Sequence, residues 1–292
     1  MSTASLKHPP FQTLIAADEL AEIIDHCIVV DCRHELTDPA AGRSAYSEGH
    51  IPGAHFLHLD EDLAAPLTGS NGRHPLPNQH DFAAKMASIG LTPNTQLIAY
   101  DAAGGMVASR LWWMARWIGH SAVAVLDGGI GGWQKAGFPL SRETPRPTPT
   151  PAAQVTSQNQ ATVTATQLLD NIQARSWLVV DARAKARFTG ETEPMDARAG
   201  HIPGAINRPF ADNLREDGRF KPAPVIEAEF LALLDGQAPE KVVHSCGSGV
   251  SACHNLLAMA YAGLDGGQLY PGSWSEWSSD PDRPVETGPA SA

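Results

Sequence analysis

Gly49-His50-Ile51-Pro52-Gly53-Ala54 recurs as Gly200-His201-Ile202-Pro203-Gly204-Ala205. Ahead of the first copy lies Val29-Val30-Asp31-Cys32-Arg33, and ahead of the second Val179-Val180-Asp181-Ala182-Arg183. Matched blocks in the same order, about 145 to 151 positions apart, indicate a duplicated globular domain. A solenoid repeat would have a period of only about 20 to 50 residues. The halves part company at one place. The apolar strand ending Leu97-Ile98-Ala99-Tyr100 leads into Asp101, whereas its counterpart Val242-Val243-His244-Ser245 leads into Cys246. One half reads as a scaffold and the other as an active site.

Each half predicts the same order of elements. An amphipathic segment (Ala16 to Asp25; Ala165 to Arg175) precedes an apolar strand that ends in Asp-x-Arg. Strands that are apolar throughout, rather than alternating, predict a parallel sheet buried on both faces. The Gly-His-Ile-Pro-Gly-Ala turn follows, then a helical segment (Asp81 to Ile89; Glu227 to Leu234), a second apolar strand, a loop and a helix. Strand–loop–helix alternation gives an α/β fold: two domains, each a doubly wound, mainly parallel sheet flanked by helices. The alternating Pro145, Pro147, Pro149 and Pro151 exclude helix and central strand, so residues 141–160 read as an extended linker. The expected domains are 10–140 and 161–288, with an irregular Pro-rich tail from Asp280.

At 292 residues the chain can bury two cores, and 42% hydrophobic with 18% charged residues is ordinary for a soluble protein. A formal net charge of −11 speaks against nucleic-acid or anionic-membrane partners. No apolar run approaches the roughly 18 residues of a membrane span, and no secretory signal is read at the N-terminus. Four cysteines without a Cys-x-x-Cys pair make neither a disulfide framework nor a zinc site. No metal or organic cofactor is expected, and the expected location is the reducing cytoplasm. Cys27 and Cys32, flanking an apolar strand, read as small buried hydrophobes.

Cys246 is different. It opens Gly247-Ser248-Gly249-Val250-Ser251-Ala252, which runs into an apolar helix carrying Cys253, Leu256, Leu257 and Met259. In doubly wound sheets the site lies beyond the carboxyl ends of the strands. A Gly-Ser loop at a helix N-terminus can aim backbone N–H groups at the sulfur and stabilise a thiolate or anionic persulfide without a metal. A phosphatase loop of this shape needs an arginine six residues after the cysteine to clamp phosphate, and that position is Ala252.

The paired Gly-His-Ile-Pro-Gly-Ala motifs, the single loop cysteine in the second half, and Tyr270-Pro271-Gly272-Ser273-Trp274-Ser275-Glu276-Trp277 resemble the two-domain rhodanese family, from about Phe11 to Thr287. The resemblance implies tandem rhodanese-like domains, the first non-catalytic with Asp101 in place of the cysteine. It also implies sulfurtransferase activity: sulfane sulfur moves from a small-molecule donor to Cys246 as a persulfide, then to a thiol, thioredoxin-like or cyanide acceptor. Thiosulfate sulfurtransferases of the family tend to carry Arg and Lys after the cysteine. Cys246-Gly247-Ser248-Gly249-Val250-Ser251 is closer to the neutral loop of the 3-mercaptopyruvate sulfurtransferases, with Ser251 where they have threonine. Thiosulfate as donor, and a persulfide carrier without independent turnover, are the alternatives.

By the same resemblance Arg187 binds the donor carboxylate, with the loop Gly247, Gly249, Val250 and Ser251 contributing to donor binding. A second arginine belongs nine residues further on, but that position is Asp196, and Arg198 is the candidate substitute. Ser248, with His74 and Asp60 from the first half, would activate the donor thiol, a task suited to a histidine that moves protons near neutral pH. His50 and His201 occur in both halves, including the one without the cysteine, and read as structural. Asp31 with Arg33 and Asp181 with Arg183 read as strand-end pairs that hold loops. Trp112, Trp113 and Trp117 have helical spacing and read as packing. Cys253 reads as helix packing.

Overall fold

The computed structural model describes residues 10–146, 148–152, 154–155 and 161–290. The first domain runs β1 (Leu14–Ile15), α1 (Ala17–Ile23), β2 (Cys27–Asp31), α2 (Ala41–Glu48), β3 (His55–Phe56), α3 (Leu59–Asp62), α4 (Gln79–Ser88), β4 (Gln96–Tyr100), α5 (Ala108–Trp117), β5 (Val123–Leu126) and α6 (Gly129–Lys135). The second runs α7 (Ala165–Ala174), β6 (Leu178–Asp181), α8 (Lys185–Thr189), β7 (Ile206–Asn207), α9 (Ala223–Leu234), β8 (Val242–Ser245), α10 (Ser251–Tyr261), β9 (Gln268–Leu269) and α11 (Ser273–Ser279). The sheets are ordered β1-β5-β4-β2-β3 and β7-β6-β8-β9, and every strand pair is parallel. Where the first sheet has β1, the described residues of the second show a bridge between Thr162 and Leu269.

The unbroken apolar strands work because a strand sends alternate side chains to opposite faces. Leu97 and Ala99 of β4 enter a core with Phe82 and Met86 of α4 and Leu111 of α5, while Ile98 and Tyr100 enter a second core with Leu20 of α1 and Trp133 of α6. The second domain repeats this with Val180 and Val179 of β6. One of these cores does not stop at the domain boundary. Leu111, Trp112 and Trp113 of α5 share an apolar cluster with Cys253, Leu256 and Leu257 of α10, so the two halves are joined by a buried helix–helix seam.

The repeated motifs do the same local work twice. The Arg33 guanidinium donates to the Asp31 carboxylate and to Gly49 O at 2.8 Å; Arg183 does likewise to Asp181 and to Gly200 O at 2.7 Å. A strand end is thereby tied to the turn that follows it. His50 stacks on Tyr46 and meets its carbonyl, and His201 stacks on Phe188 and meets its carbonyl, so each histidine is a loop brace. The chain returns to each turn: Ser141 pairs with His50, and Glu286 with His201. The tail beyond Asp280 is irregular, as expected, and this pairing anchors it. The stretch after Ser141 is likewise held, with Thr150 N–H on Ala87 O and its hydroxyl on Leu91 O. Among the described residues no helix is long and apolar enough to cross a membrane.

Asp101 occupies the position that corresponds to Cys246. Its buried carboxylate accepts from the N–H groups of Ala103, Gly105, Val107 and Ala108, at 2.8 to 3.0 Å. An acceptor for the orphan amides at the start of α5 is thus built into the loop. Asp101→Ala leaves these donors unsatisfied in the interior and is expected to cost about 3 kcal/mol. Denaturant unfolding measures this, and a loss below about 1 kcal/mol would mean that water or loop rearrangement replaces the carboxylate.

Candidate active site

Cys246 follows β8 directly and is buried. The Gly249 N–H donates to its sulfur at 3.1 Å, and Ser273 Oγ lies 3.9 Å from it. Gly249 has φ +78°, and a Cβ there would stand 2.4 Å from Pro271 O, so the loop requires a glycine at this point. Val250 caps α10 and Ser251 begins it, which points the first-turn amides of an 11-residue helix toward the loop. The loop is also held from outside. Ser273 Oγ accepts from Cys246 N–H at 3.0 Å, and the N–H groups of Trp274 and Ser275 donate to the carbonyls of Cys246 and Gly247. Ser273 adopts a left-handed φ of 53° to do this, a strained conformation of the kind that collects at functional sites.

The first domain closes over this loop. Ser248 Oγ lies 2.7 Å from His74 Nδ1, and His74 Nε2 lies 3.0 Å from Asp60 Oδ1. Burial drives the His74 imidazole down to about 4, so the ring is neutral and Nδ1 can accept the serine proton. Asp60, with 41% of its side chain exposed, opens this chain of contacts to solvent. Beyond it lies a surface cleft of about 760 Å³ lined by Arg43, Ser47, His58 and Glu61. His34, His58 and Asp60 hold their ligand atoms within 4.8 Å of one another. Both His58 nitrogens are already engaged, however, Nδ1 by Asp60 N–H and Nε2 by Pro39 O.

A compact ionic cluster stands beside Gly247. A Cβ on that glycine would meet Arg73 Nη2 at 2.9 Å and Arg187 Nη1 at 3.3 Å, so two guanidiniums, one from each domain, overlook the loop. Both are already paired. Arg187 contacts Glu193 at 2.7 Å and Asp196 at 3.0 Å, and Arg73 also pairs with Asp196. Burial raises the Asp196 carboxyl above its usual range, with Glu193 beside it acting in the same direction.

Arg198, expected as a second carboxylate-binding arginine, is elsewhere. Its guanidinium donates to the carbonyls of Trp277, Ser278, Asp280, Pro281 and Arg283. The last carbonyls of a helix have no intrahelical donors, and Arg198 supplies them to α11 and the turn beyond. Arg198 therefore braces the wall that carries Ser273 rather than facing the loop.

Sequence reasoning also passed over Arg73, Ser273 and Arg110. Arg73 stood next to His74, and Ser273 stood inside the Tyr270–Trp277 motif. Arg110 was a lone charge ahead of the apolar run Leu111-Trp112-Trp113, and it is fully buried against the loop.

Two α/β domains related by duplication, one with a thiol cradled at the end of a strand, define a class of tandem-domain thiol proteins. The model of the Rhodanese-like domain matches residues 16–136 and 164–280, and the chain belongs to this family. A Pseudomonas aeruginosa protein named "Probable 3-mercaptopyruvate sulfurtransferase" is 43% identical over 94% of this chain and 98% of its own length. The thiosulfate sulfurtransferase of Bos taurus is 36% identical over 80% of this chain and 79% of its own. Among solved structures, the 3-mercaptopyruvate sulfurtransferase from Leishmania major superposes with a TM-score of 0.81 at 29% identity, covering 93% of this chain and 75% of that one.

Buried neutral histidines make the fold acid-sensitive. Burial lowers His74 and His254 to about 4 and His244 to about 3. The unfolded chain takes up these protons near its ordinary histidine value of about 6.5 and the folded chain does not. Stability is therefore full above about pH 6.5 and falls as pH drops toward 4, by up to about 1.4 kcal/mol per pH unit for each histidine. Unfolding free energies at about pH 7, 6 and 5 measure the slope, and a flat profile would mean that these rings ionise within the folded chain.

Proposed function

We propose that the chain is a sulfurtransferase that takes the thiol sulfur of 3-mercaptopyruvate onto Cys246, where it becomes the sulfane sulfur of a persulfide. The persulfide then passes its outer sulfur to a thiol, a thioredoxin-like protein or cyanide. The observation that carries this reading is the Ser248–His74–Asp60 chain against the Cys246 loop. Attack of the Cys246 thiolate on the donor sulfur breaks its bond to carbon and releases the enolate of pyruvate. The donor S–H proton must leave sulfur and reach that carbon. Ser248, backed by a neutral His74, can relay it, and Asp60 steadies the ring. The acceptor's attack on the outer sulfur returns Cys246 as thiolate.

Arg187, above Gly247, is suited to the donor carboxylate, which must displace Asp196 from it. The loop N–H groups suit the anionic persulfide. The first domain carries no thiol at Asp101 and contributes His74 and Asp60 instead. Four free cysteines suit a reducing compartment such as the cytoplasm. Thiosulfate as main donor is the second reading: Asp196 stands where a second carboxylate-binding arginine belongs and engages Arg187, which leaves the clamp for a carboxylate donor incomplete.

The donors separate the two readings because thiosulfate releases sulfite and needs no proton on carbon. His74→Gln is expected to lower kcat for mercaptopyruvate by about 10²- to 10⁴-fold and to leave thiosulfate turnover nearly unchanged. Equal losses with both donors would remove the relay. Steady-state kinetics with a common acceptor reads both, and Cys246→Ser is expected to abolish transfer from either donor while the protein stays folded. Arg187→Ala is expected to raise KM for mercaptopyruvate about tenfold or more, as loss of a charge-assisted contact does. An unchanged KM would return Arg187 to a structural ion pair.

A further inference from the structure

A guanidinium lies beneath the thiol loop, and among the described residues no carboxylate pairs with it. Arg110 of α5 is 0% exposed. Its Nη1 donates to Gly249 O at 3.0 Å, and its Nη2 to His74 O at 3.0 Å and Leu63 O at 3.3 Å, while Nε has no partner. The other cations around the loop are all offset: Arg183 by Asp181 and Glu193, Arg187 by Glu193 and Asp196, and Arg73 by Asp196. His74 is neutral.

Arginine stays protonated inside proteins, and an unpaired buried charge is among the most costly groups a fold can carry. Carbonyl dipoles solvate Arg110 without cancelling its charge. The groups facing it that can become anions are the thiols of Cys246 and Cys253. Cys253 donates to Gly249 O at 3.3 Å, and burial pushes its thiol up to about 12, so it stays neutral. Cys246 remains.

We infer that Arg110 is a positioning residue and the built-in counter-ion of the sulfur anion on Cys246, supplied by the domain that lacks the cysteine. The inference rests on the sulfur-carrying role proposed for Cys246. Gly249 joins the two groups, with its carbonyl on the Arg110 guanidinium and its N–H on the Cys246 sulfur. The placement of Arg110 is set locally. Asp101 holds the amides of Val107 and Ala108, which begin α5, and Arg110 lies in the first turn that follows. The degenerate site of the first domain thus anchors the helix that brings a positive charge to the intact site of the second.

The test is the pH dependence of Cys246 alkylation by iodoacetamide in the full chain, followed on the Cys246 peptide by mass. Arg110→Gln is expected to move the curve to higher pH and to slow alkylation at neutral pH by about tenfold or more, one pH unit corresponding to a factor of ten. Arg110→Lys, which keeps the charge but not the three-carbonyl grip, is expected to restore most of the shift, and Cys253→Ser is expected to leave the curve in place. Overturning results are an unmoved curve in Arg110→Gln, equal shifts in the Gln and Lys variants, or a shift in Cys253→Ser as large as that in Arg110→Gln.

Should Arg110→Gln fail to fold, the wild-type chain and Cys246→Ser are compared by thermal unfolding across pH. A thiolate favoured in the folded state adds stability above the thiol's unfolded pKa and loses it as pH falls, so the advantage of wild type is expected to grow with pH. A constant difference would overturn the inference. Neither readout needs turnover, so a chain that transfers no sulfur can still return the shift, and the failure of one proposal is distinguishable from the failure of the other.

Discussion

The seam between α5 and α10 carries two jobs that usually fall to different parts of a protein. Its apolar side chains, Leu111, Trp112 and Trp113 against Leu256 and Leu257, continue a single core from one domain into the other. Burial of this much aromatic and aliphatic surface is the dominant favourable term available to the chain. Both helices also start at corresponding loops, one at Asp101 and one at Cys246. Packing the helices together therefore sets the two loops, and everything tied to them, in a fixed relation. The approach of His74 to Ser248, of Arg110 to Gly249 and of Arg73 to Gly247 all follow from it.

Duplication left two copies of one device with different occupants. In the first domain a carboxylate accepts four amides of its own loop, and the site is filled by the chain itself. In the second a thiol receives one amide, from Gly249. A carboxylate is a permanent anion that satisfies its cradle, whereas a thiol is a conditional one that must be stabilised. The first domain is spared that need, and through α5 it can contribute charge to the second.

Electrostatics around the loop is arranged in two layers. The outer layer, Arg73, Arg183 and Arg187 with Asp181, Glu193 and Asp196, is close to neutral, so it can exchange an internal carboxylate for an external one at modest cost. The inner layer is the unpaired Arg110. A net charge of −11 on the whole chain says nothing about either. Local pairing, not the sum, decides what the cleft attracts.

Much of this architecture was legible in the sequence because it depends on neighbours along the chain. Unbroken apolar strands, Asp-x-Arg at their ends and a Gly-Ser loop after Cys246 each state a short-range requirement, and together they specify parallel doubly wound domains and locate the thiol. The relay candidates were legible only through family resemblance, since 174 positions separate His74 from Ser248. Arg198 shows the limit. It was the candidate substitute for a donor-binding arginine missing at Asp196, yet α11 packs so that its open carbonyls take the guanidinium. Arg73 and Arg110 fall beyond that limit too, because a side chain acquires such a role only when the other domain is brought against it. Patterns between near neighbours along the chain were enough to specify the two domains, the repeated loop braces and the single loop thiol. Which charges surround that thiol, and which are already offset, depends on the folded molecule, because ion pairing and burial are set by distances between segments far apart in the chain.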